Sequence, residues 1–428
     1  MREEFLHFIW KYQKFGKSSL QTVSGETIEI KSPGQHNHNS GPDFFNASLR
    51  ISKQQWAGNV EIHLRASDWY AHGHECDPTY DSVILHVVYD YDRDIFRKDG
   101  SAIPTLELKN YLDSIMLQQY QKLFEVNRNW IPCQDMIANV SEFTLNNWLE
   151  RLFIERLEEK AIPIAKELHN SHYHWEAVFL RRLLISFGLK VNREPFSLIA
   201  RLLSYEVLQK TKSNLFQLEA LLFGTAGLLV KNLKDAYYQN LQNEYAYLCQ
   251  KFQLSPTVQQ IPKFSRLRPP NFPTIRLAQF AALLHQHDRL FDACMQLKNS
   301  EEAYAFFSVC PSDYWRTHFN FGTTSSPKEK SLSNSFIDLL LINAILPIKF
   351  QYAKHRFTED PETIVAFALH LKPETNTIIK RFKKLQLPVA SAMESQALLQ
   401  LYNQYCIRSK CLDCAIGASL LKPMKHIR

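Results

Sequence analysis

Hydrophobic and polar positions recur with two different periods along this chain, and the switch between them divides it. Residues 3–15 carry Phe5, Ile9 and Tyr12 at helical spacing and predict a short amphipathic helix. From about residue 20 to 110 the period drops to two. Short β-branched and aromatic runs at 27–30, 47–51, 59–64, 83–89 and 105–108, set apart by Gly and Pro, read as strands. Ser24-Gly25-Glu26 predicts a hairpin turn before the arm that opens at Thr27. The run from Val83 to Val88 is almost continuously apolar, as a central strand covered on both faces would be.

Past about residue 112 helical spacing returns and persists. Residues 145–166 place Leu, Ile and Trp at that spacing among Glu, Arg and Lys, with Ser141 or Thr144 as N-cap. Further helical patterns cover 175–188, 195–209, 215–253, 274–298, 333–346, 361–383 and 390–404. Pro262 to Pro273 and Gly322 to Lys330 read as loops. The expected fold class is α+β. A mixed sheet with flanking helices occupies a domain of residues 1–125, followed by a large all-α domain over 126–428.

Composition changes this picture little. A chain of 428 residues can bury a large core and form two or three domains, and 45% hydrophobic with 22% charged is ordinary for a globular protein. No run approaches the roughly 18–20 uninterrupted apolar residues of a membrane span. Met1-Arg2-Glu3-Glu4 brings acids early, unlike a signal peptide. The expectation is a cytoplasmic protein with no membrane association and an open oligomeric state. Fifty Lys and Arg against 43 Asp and Glu leave a charge of +7, which permits a nucleic-acid partner without requiring one.

The candidate chemistry lies at the front. In the strand Gly58-Asn59-Val60-Glu61-Ile62-His63, alternation sends Val60, Ile62 and Leu64 to one face and Glu61, His63 and Arg65 to the other. Asp43, in Gly41-Pro42-Asp43-Phe44, opens an earlier strand and can bring a second carboxylate to the same place. Hard carboxylate ligands suit Mg²⁺ or Mn²⁺, which would polarise a phosphate and activate water. Histidines also gather here: the pairs His36 and His38, and His72 and His74, offer imidazoles at close spacing for Zn²⁺ or Mn²⁺.

Two further groups stand out. Cys406, Cys411 and Cys414 fall within nine residues, a spacing that can wrap Zn²⁺ or three corners of an iron–sulfur cluster, and Cys133 beside Pro132 is the expected fourth ligand. In the helical half, Arg266, Arg268 and Arg276 lie on and beside a Pro-rich loop that leads into a helix, a pattern suited to phosphates. The stretch from Asp313 to Phe319 is a second aromatic and basic candidate.

The order helix, three-strand meander, crossover, strand resembles the restriction-endonuclease-like PD-(D/E)xK nucleases over residues 1–110. Pro42-Asp43 stands as the Pro-Asp element, and Glu61-Ile62-His63 stands where that family has acid-any-lysine. The resemblance implies a catalytic set of Asp43, Glu61 and His63, with Glu4 as an extra metal-binding acid. His63 departs from the lysine and carries no permanent charge. Nearly the whole chain also resembles an uncharacterised bacterial family, domain of unknown function 2851. Gly41 to Phe44, Gly58 to His63, Ser67-Asp68-Trp69, Val83 to Val88, Arg268 to Arg276 and Cys411 to Gly417 carry that resemblance. It implies a bacterial cytoplasmic protein and assigns no activity to it.

The leading expectation is a metal-dependent nuclease acting on DNA or RNA. The alternative is a catalytically inactive nucleic-acid-binding or scaffold protein of the same fold. A third is a zinc or manganese hydrolase of a small substrate, built on His36, His38, His72 and His74.

Overall fold

The computed structural model describes residues 1–37, 39–124, 129–254, 260–356 and 361–421. They form two compact units, one of residues 1–148 with 401–428 and the other of residues 149–400. The division differs from the expected boundary after residue 125, and the C-terminal cysteine segment joins the first unit, not the helical one. The reason is aromatic packing that helical periodicity does not register. Trp130 stacks on Tyr402 with ring centroids 5.0 Å apart, and Trp148 meets Tyr405 edge-on at 5.4 Å.

The first unit opens with helix α1 (Glu3–Lys11), whose acids sit in the first turn and whose lysine sits in the last, as the helix dipole favours. Phe5, Leu6, Phe8, Ile9 and Trp10 are buried along it. Six strands follow: β1 (Ile28–Ser32), β2 (Gln35–His36), β3 (Phe44–Ile51), β4 (Gln54–Arg65), β5 (Val83–Asp90) and β6 (Thr105–Glu107). The main sheet order is β1-β3-β4-β5-β6, with β2 paired to β3. β1, β3 and β4 pair antiparallel, whereas β4–β5 and β5–β6 are parallel. The architecture is therefore a mixed sheet with flanking helices, followed by a helical region.

The β4–β5 crossover is short, made of helix α2 (Asp68–Ala71) and two 3₁₀ turns. It folds back over the sheet and packs Ala66, Trp69 and Tyr80 with Val83, Val88, Ile95 and Ile103. That cover explains a departure from the alternation rule. Glu61 and His63 lie on the face expected to be open, yet they are 4% and 1% exposed. Gly58 lets the two strands approach, because a Cβ there would lie 2.7 Å from the Ser82 carbonyl oxygen and 2.5 Å from Ile84.

The second unit is built of helices, among them Trp175–Phe187, Leu215–Thr225, Ala236–Phe252 and Pro273–Gln286. Several predicted helices are each split in two. The span 215–253 breaks at Gly227 with φ 69°, and 195–209 breaks at Leu203-Ser204, where the Ser204 hydroxyl caps the next helix. Residues 334–356 form a helical run long and apolar enough to cross a bilayer, and most of it is buried within the protein.

Candidate functional site

The site grows from two backbone contacts that interlock the expected acids. Asp43 enters β3, and its N–H donates to Glu61 Oε2 at 3.1 Å. In return, the Ile62 N–H donates to Asp43 Oδ2 at 2.9 Å. Each carboxylate is thus held by the other's strand. A bulge in the β3–β4 pairing between Phe44 and Ala47, with Asn46 at φ 57°, turns the strand just after Asp43.

Helix α1 supplies the next two groups. His7 Nε2 lies 3.2 Å from Asp43 Oδ2 and 3.8 Å from Glu3 Oε1, and ligand atoms of Glu3, His7 and Asp43 all fall within 4.8 Å of one another. Glu3, one turn before His7, therefore faces Asp43. Glu4 is exposed and lines a neighbouring cleft instead. The Glu3/His7 pair was missed in the sequence, although its i,i+4 spacing on the first helix is a readable signal.

The crossover brings in the remaining imidazoles. His63, His72 and His74 offer ligand atoms within 4.8 Å of one another. Glu61 Oε1 joins this group, 3.3 Å from His74 Nε2 and 3.5 Å from His63 Nε2. Behind them, His63 Nε2 meets His72 Nδ1 at 3.1 Å, and His63 Nδ1 meets His86 Nε2 at 2.8 Å. The three imidazoles form a hydrogen-bonded chain from the core to the site. His74 stacks on Tyr80 at 3.8 Å, and Trp69 packs edge-on against His74 and His86.

Electrostatics set the protonation. Burial, reinforced by His74, His72 and His7, pushes His63 down to about 3, and burial holds His86 well below the histidine range. Both are neutral at any physiological pH, so His63 does not replace the charge of a lysine. Burial raises Glu61 above the usual carboxylate value, with the Asp43 charge adding to the rise and His74 opposing it. Burial likewise raises Glu3. Burial opposes protonation of His7, but the adjacent Asp43 carboxylate, helped by Glu3 and Glu61, outweighs it and lifts its pKa.

A cleft of about 310 Å³ opens beside this cluster, with Glu4, His7 and His36 on one wall. Arg2, Lys11, Arg408 and Lys410 also line it. His36 stacks on Phe44 and meets His7 edge-on at 5.2 Å, apart from the His72/His74 group; His38 lies outside the described residues. The four cysteines singled out in the sequence, Cys133, Cys406, Cys411 and Cys414, line one pocket in the same unit.

The arginines of the helical half behave otherwise. Arg276 is not a surface phosphate ligand: it is 5% exposed, lies over the Phe336 ring at 3.4 Å and donates to Asn271 and Gln279. Sequence spacing placed it on the exposed loop, whereas it lies in the first turn of the helix Pro273–Gln286, buried like Thr274 and Ile275 before it. Arg266 and Arg268 are exposed. In the aromatic stretch Trp315 is fully buried and donates to Glu219, and Tyr314 donates to Asp235, so these rings hold the core and present no face to a base.

No curated protein and no solved structure matches the chain. A family model described as "Protein of unknown function (DUF2851)" matches residues 3–377, which includes the acidic strands and their histidines. The chain belongs to that family.

Proposed function

We propose that this protein is a metal-dependent phosphodiester hydrolase, a nuclease-like enzyme of the bacterial cytoplasm, with Asp43 and Glu61 at its centre. The observation that carries this reading is the interlocked acid pair flanked on both sides by metal-ligand groups at the edge of a cation-lined cleft. Helix, antiparallel meander, crossover and parallel strand follow in the order of restriction-endonuclease-like cores, which supports the same reading.

The donor set shifts the expected metal. Mg²⁺ prefers all-oxygen octahedra, whereas a site mixing carboxylates with imidazoles suits Mn²⁺, Zn²⁺ or Fe²⁺. Glu3, His7 and Asp43 would hold an ion on one side of the acid pair; Glu61, His72 and His74 would hold one on the other. Such an ion polarises the phosphate and lowers the pKa of bound water. One tautomer of the imidazole chain serves this role. If His72 Nδ1–H donates to His63 and His63 Nδ1–H donates to His86, the His72 Nε2 lone pair is left free for a ligand. Metal-bound histidines are commonly oriented this way through their other ring nitrogen. His63 is thereby a positioning residue, and the departure from lysine ceases to be a defect. In the cleft, Arg2, Lys11, Arg408 and Lys410 would neutralise the phosphates of a nucleic-acid strand.

The test is cleavage of single- and double-stranded DNA and RNA with Mn²⁺, Mg²⁺ or Zn²⁺. Activity lost in both Asp43→Asn and Glu61→Gln, with the fold intact, is the expected result. Cleavage unchanged in both variants would overturn the assignment. Metal-independent binding without cleavage of any substrate would favour the scaffold alternative.

A further inference from the structure

The first unit contains a second cluster that the acidic site does not use. Cys133, Cys411 and Cys414 are buried and Cys406 is half-buried, all in one pocket with Pro132, Leu401, Tyr405 and Ile416. All four are free thiols. One comes from far away in sequence: Cys133 lies in the turn after Trp130, whereas Cys406 closes the helical run that begins at Ala392 and ends five residues before Cys411.

The local backbone is shaped around the sulfurs. Ser409, at φ 53°, turns the chain between Cys406 and Cys411, and Lys410 N–H returns to the Tyr405 carbonyl at 2.9 Å. The Cys414 N–H returns to the Cys411 carbonyl at 3.4 Å, and the Cys414 carbonyl accepts from the Ala418 N–H at 2.8 Å, which starts the helix Ala415–Leu420. Gly417 is pressed onto the knuckle, because a Cβ there would lie 2.1 Å from the Cys411 carbonyl oxygen. A plain apolar core needs neither these turns nor this approach.

We propose that Cys133, Cys406, Cys411 and Cys414 form a four-thiolate centre for a thiophilic metal, and that this centre holds Arg408 and Lys410 on the wall of the cleft beside Asp43. The shared chemistry is thiolate ligation, which both a zinc ion and an iron–sulfur cluster satisfy. Each thiol would bind as a thiolate, releasing its proton to solvent as the metal enters.

Arg408, Ser409, Lys410, Leu412 and Asp413 all line the cleft, and every one of them lies between two of the cysteines. Anchoring Cys406, Cys411 and Cys414 therefore fixes that wall. Lys14 provides a second tether, donating to the carbonyls of Ala418 and Leu421 at 3.0 and 2.8 Å. This keeps the following helix, Ala415–Leu420, in place when the metal is removed. The metal centre stands independently of the hydrolase reading, and only its effect on nucleic-acid binding rests on that reading.

The experiment uses the full chain, purified without air from cells grown in zinc- and iron-replete medium. Elemental and sulfide analysis with visible spectroscopy is expected to find one of two results. Either one zinc is bound per chain with no visible absorption, or iron is bound with matching sulfide and a visible charge-transfer band. In either case the metal is lost in Cys411→Ser and Cys414→Ser and kept in the control Cys310→Ser. Metal-free wild-type protein overturns the centre, and this outcome needs no variant to fold. Metal retained undiminished in both ligand variants overturns it equally. Binding of a fluorescent single-stranded oligonucleotide, without added divalent ions, reads the second half. We expect affinity to fall roughly tenfold at low salt on loss of the metal and in the Arg408→Ala/Lys410→Ala double variant. Unchanged binding after metal loss overturns the link to the cleft. Absence of cleavage with the metal present defeats the hydrolase reading alone.

Discussion

Glu61 in the first unit and Glu219 in the second are both nearly sealed from solvent, 4% and 0% exposed, but their neighbours differ in kind. Glu219 is met only by neutral donors. The Tyr237 hydroxyl donates to it, the Ser312 hydroxyl donates at 2.9 Å and the Trp315 indole at 3.1 Å. Its network is complete within the fold, and nothing is left over for a ligand. Glu61 is met by one backbone N–H, by a second carboxylate fixed beside it, and by imidazoles that carry lone pairs of their own. Carboxylates and imidazoles, each able to bind a metal, converge there. A buried glutamate whose oxygens meet hydroxyl and N–H groups is completed by the fold, whereas one that meets a second carboxylate and imidazoles has the surroundings of a candidate ligand.

The sharpest way to break that contrast is to neutralise the acids of the first unit. Asp43→Asn and Glu61→Gln are expected to lower cleavage by about a thousandfold or more, because the metal loses its anionic ligands. Thermal unfolding should barely change. Unfolding well below wild type in both variants would make Glu61 a structural acid like Glu219.

Next in size is a pH effect confined to the second unit. Burial raises Glu219 from 4.5 to about 7, against the pull of its Tyr237, Ser312 and Trp315 hydrogen bonds. Because the folded pKa lies above the unfolded one, the native state holds a proton between these values that the unfolded chain has released. Stability is therefore full below about pH 4.5 and falls as pH rises toward 7, by about 3 kcal/mol in total. Urea titrations from about pH 5 to pH 8 should show this loss in the wild type and a flatter profile in Glu219→Gln. Equal slopes would remove the buried proton from the account.

Arg276→Ala sharpens the comparison from the basic side. It removes the partner of Asn271 and Gln279 and the cation over Phe336, and should cost about 2–3 kcal/mol of stability. Oligonucleotide affinity should stay constant, and a fall in affinity without loss of stability would restore the surface role that the sequence suggested. The smallest effect is expected for Arg268→Ala. This exposed side chain should leave stability within about 0.5 kcal/mol of wild type. If the loop touches nucleic acid, the salt dependence of binding should become shallower by about one unit of slope.

Much of the first unit was legible in the residues. The period-two runs lie within or overlap β1, β3, β4, β5 and β6, and the Gly25 turn has φ 86° with the Thr22 N–H closing onto Glu26. Asp43 and Glu61 were read as neighbours, and they hydrogen-bond to each other's strand. Cys133 was matched to a cluster more than 270 residues away, and all four thiols line one pocket. The i,i+4 pair of Glu3 and His7 escaped notice because its spacing gains chemical meaning only once Asp43 is placed opposite it.

What the sequence by itself determined is local: the periods of its elements, the turns that glycine and proline impose, and the side chains able to bind a metal. These depend on neighbours a few residues apart, where backbone geometry leaves few choices. What only the tertiary structure decided is which groups are buried and what they face. Alternation left Glu61 and His63 on an open face, and a crossover of seventeen residues closed it with Trp69, His72 and His74. A basic Pro-rich loop and an aromatic-basic run gave Arg276 and Trp315 the look of a nucleic-acid surface, and packing turned both inward. Burial depends on distant segments arriving at one place, and it is burial that sets protonation, hydrogen bonding and so the chemistry of each group.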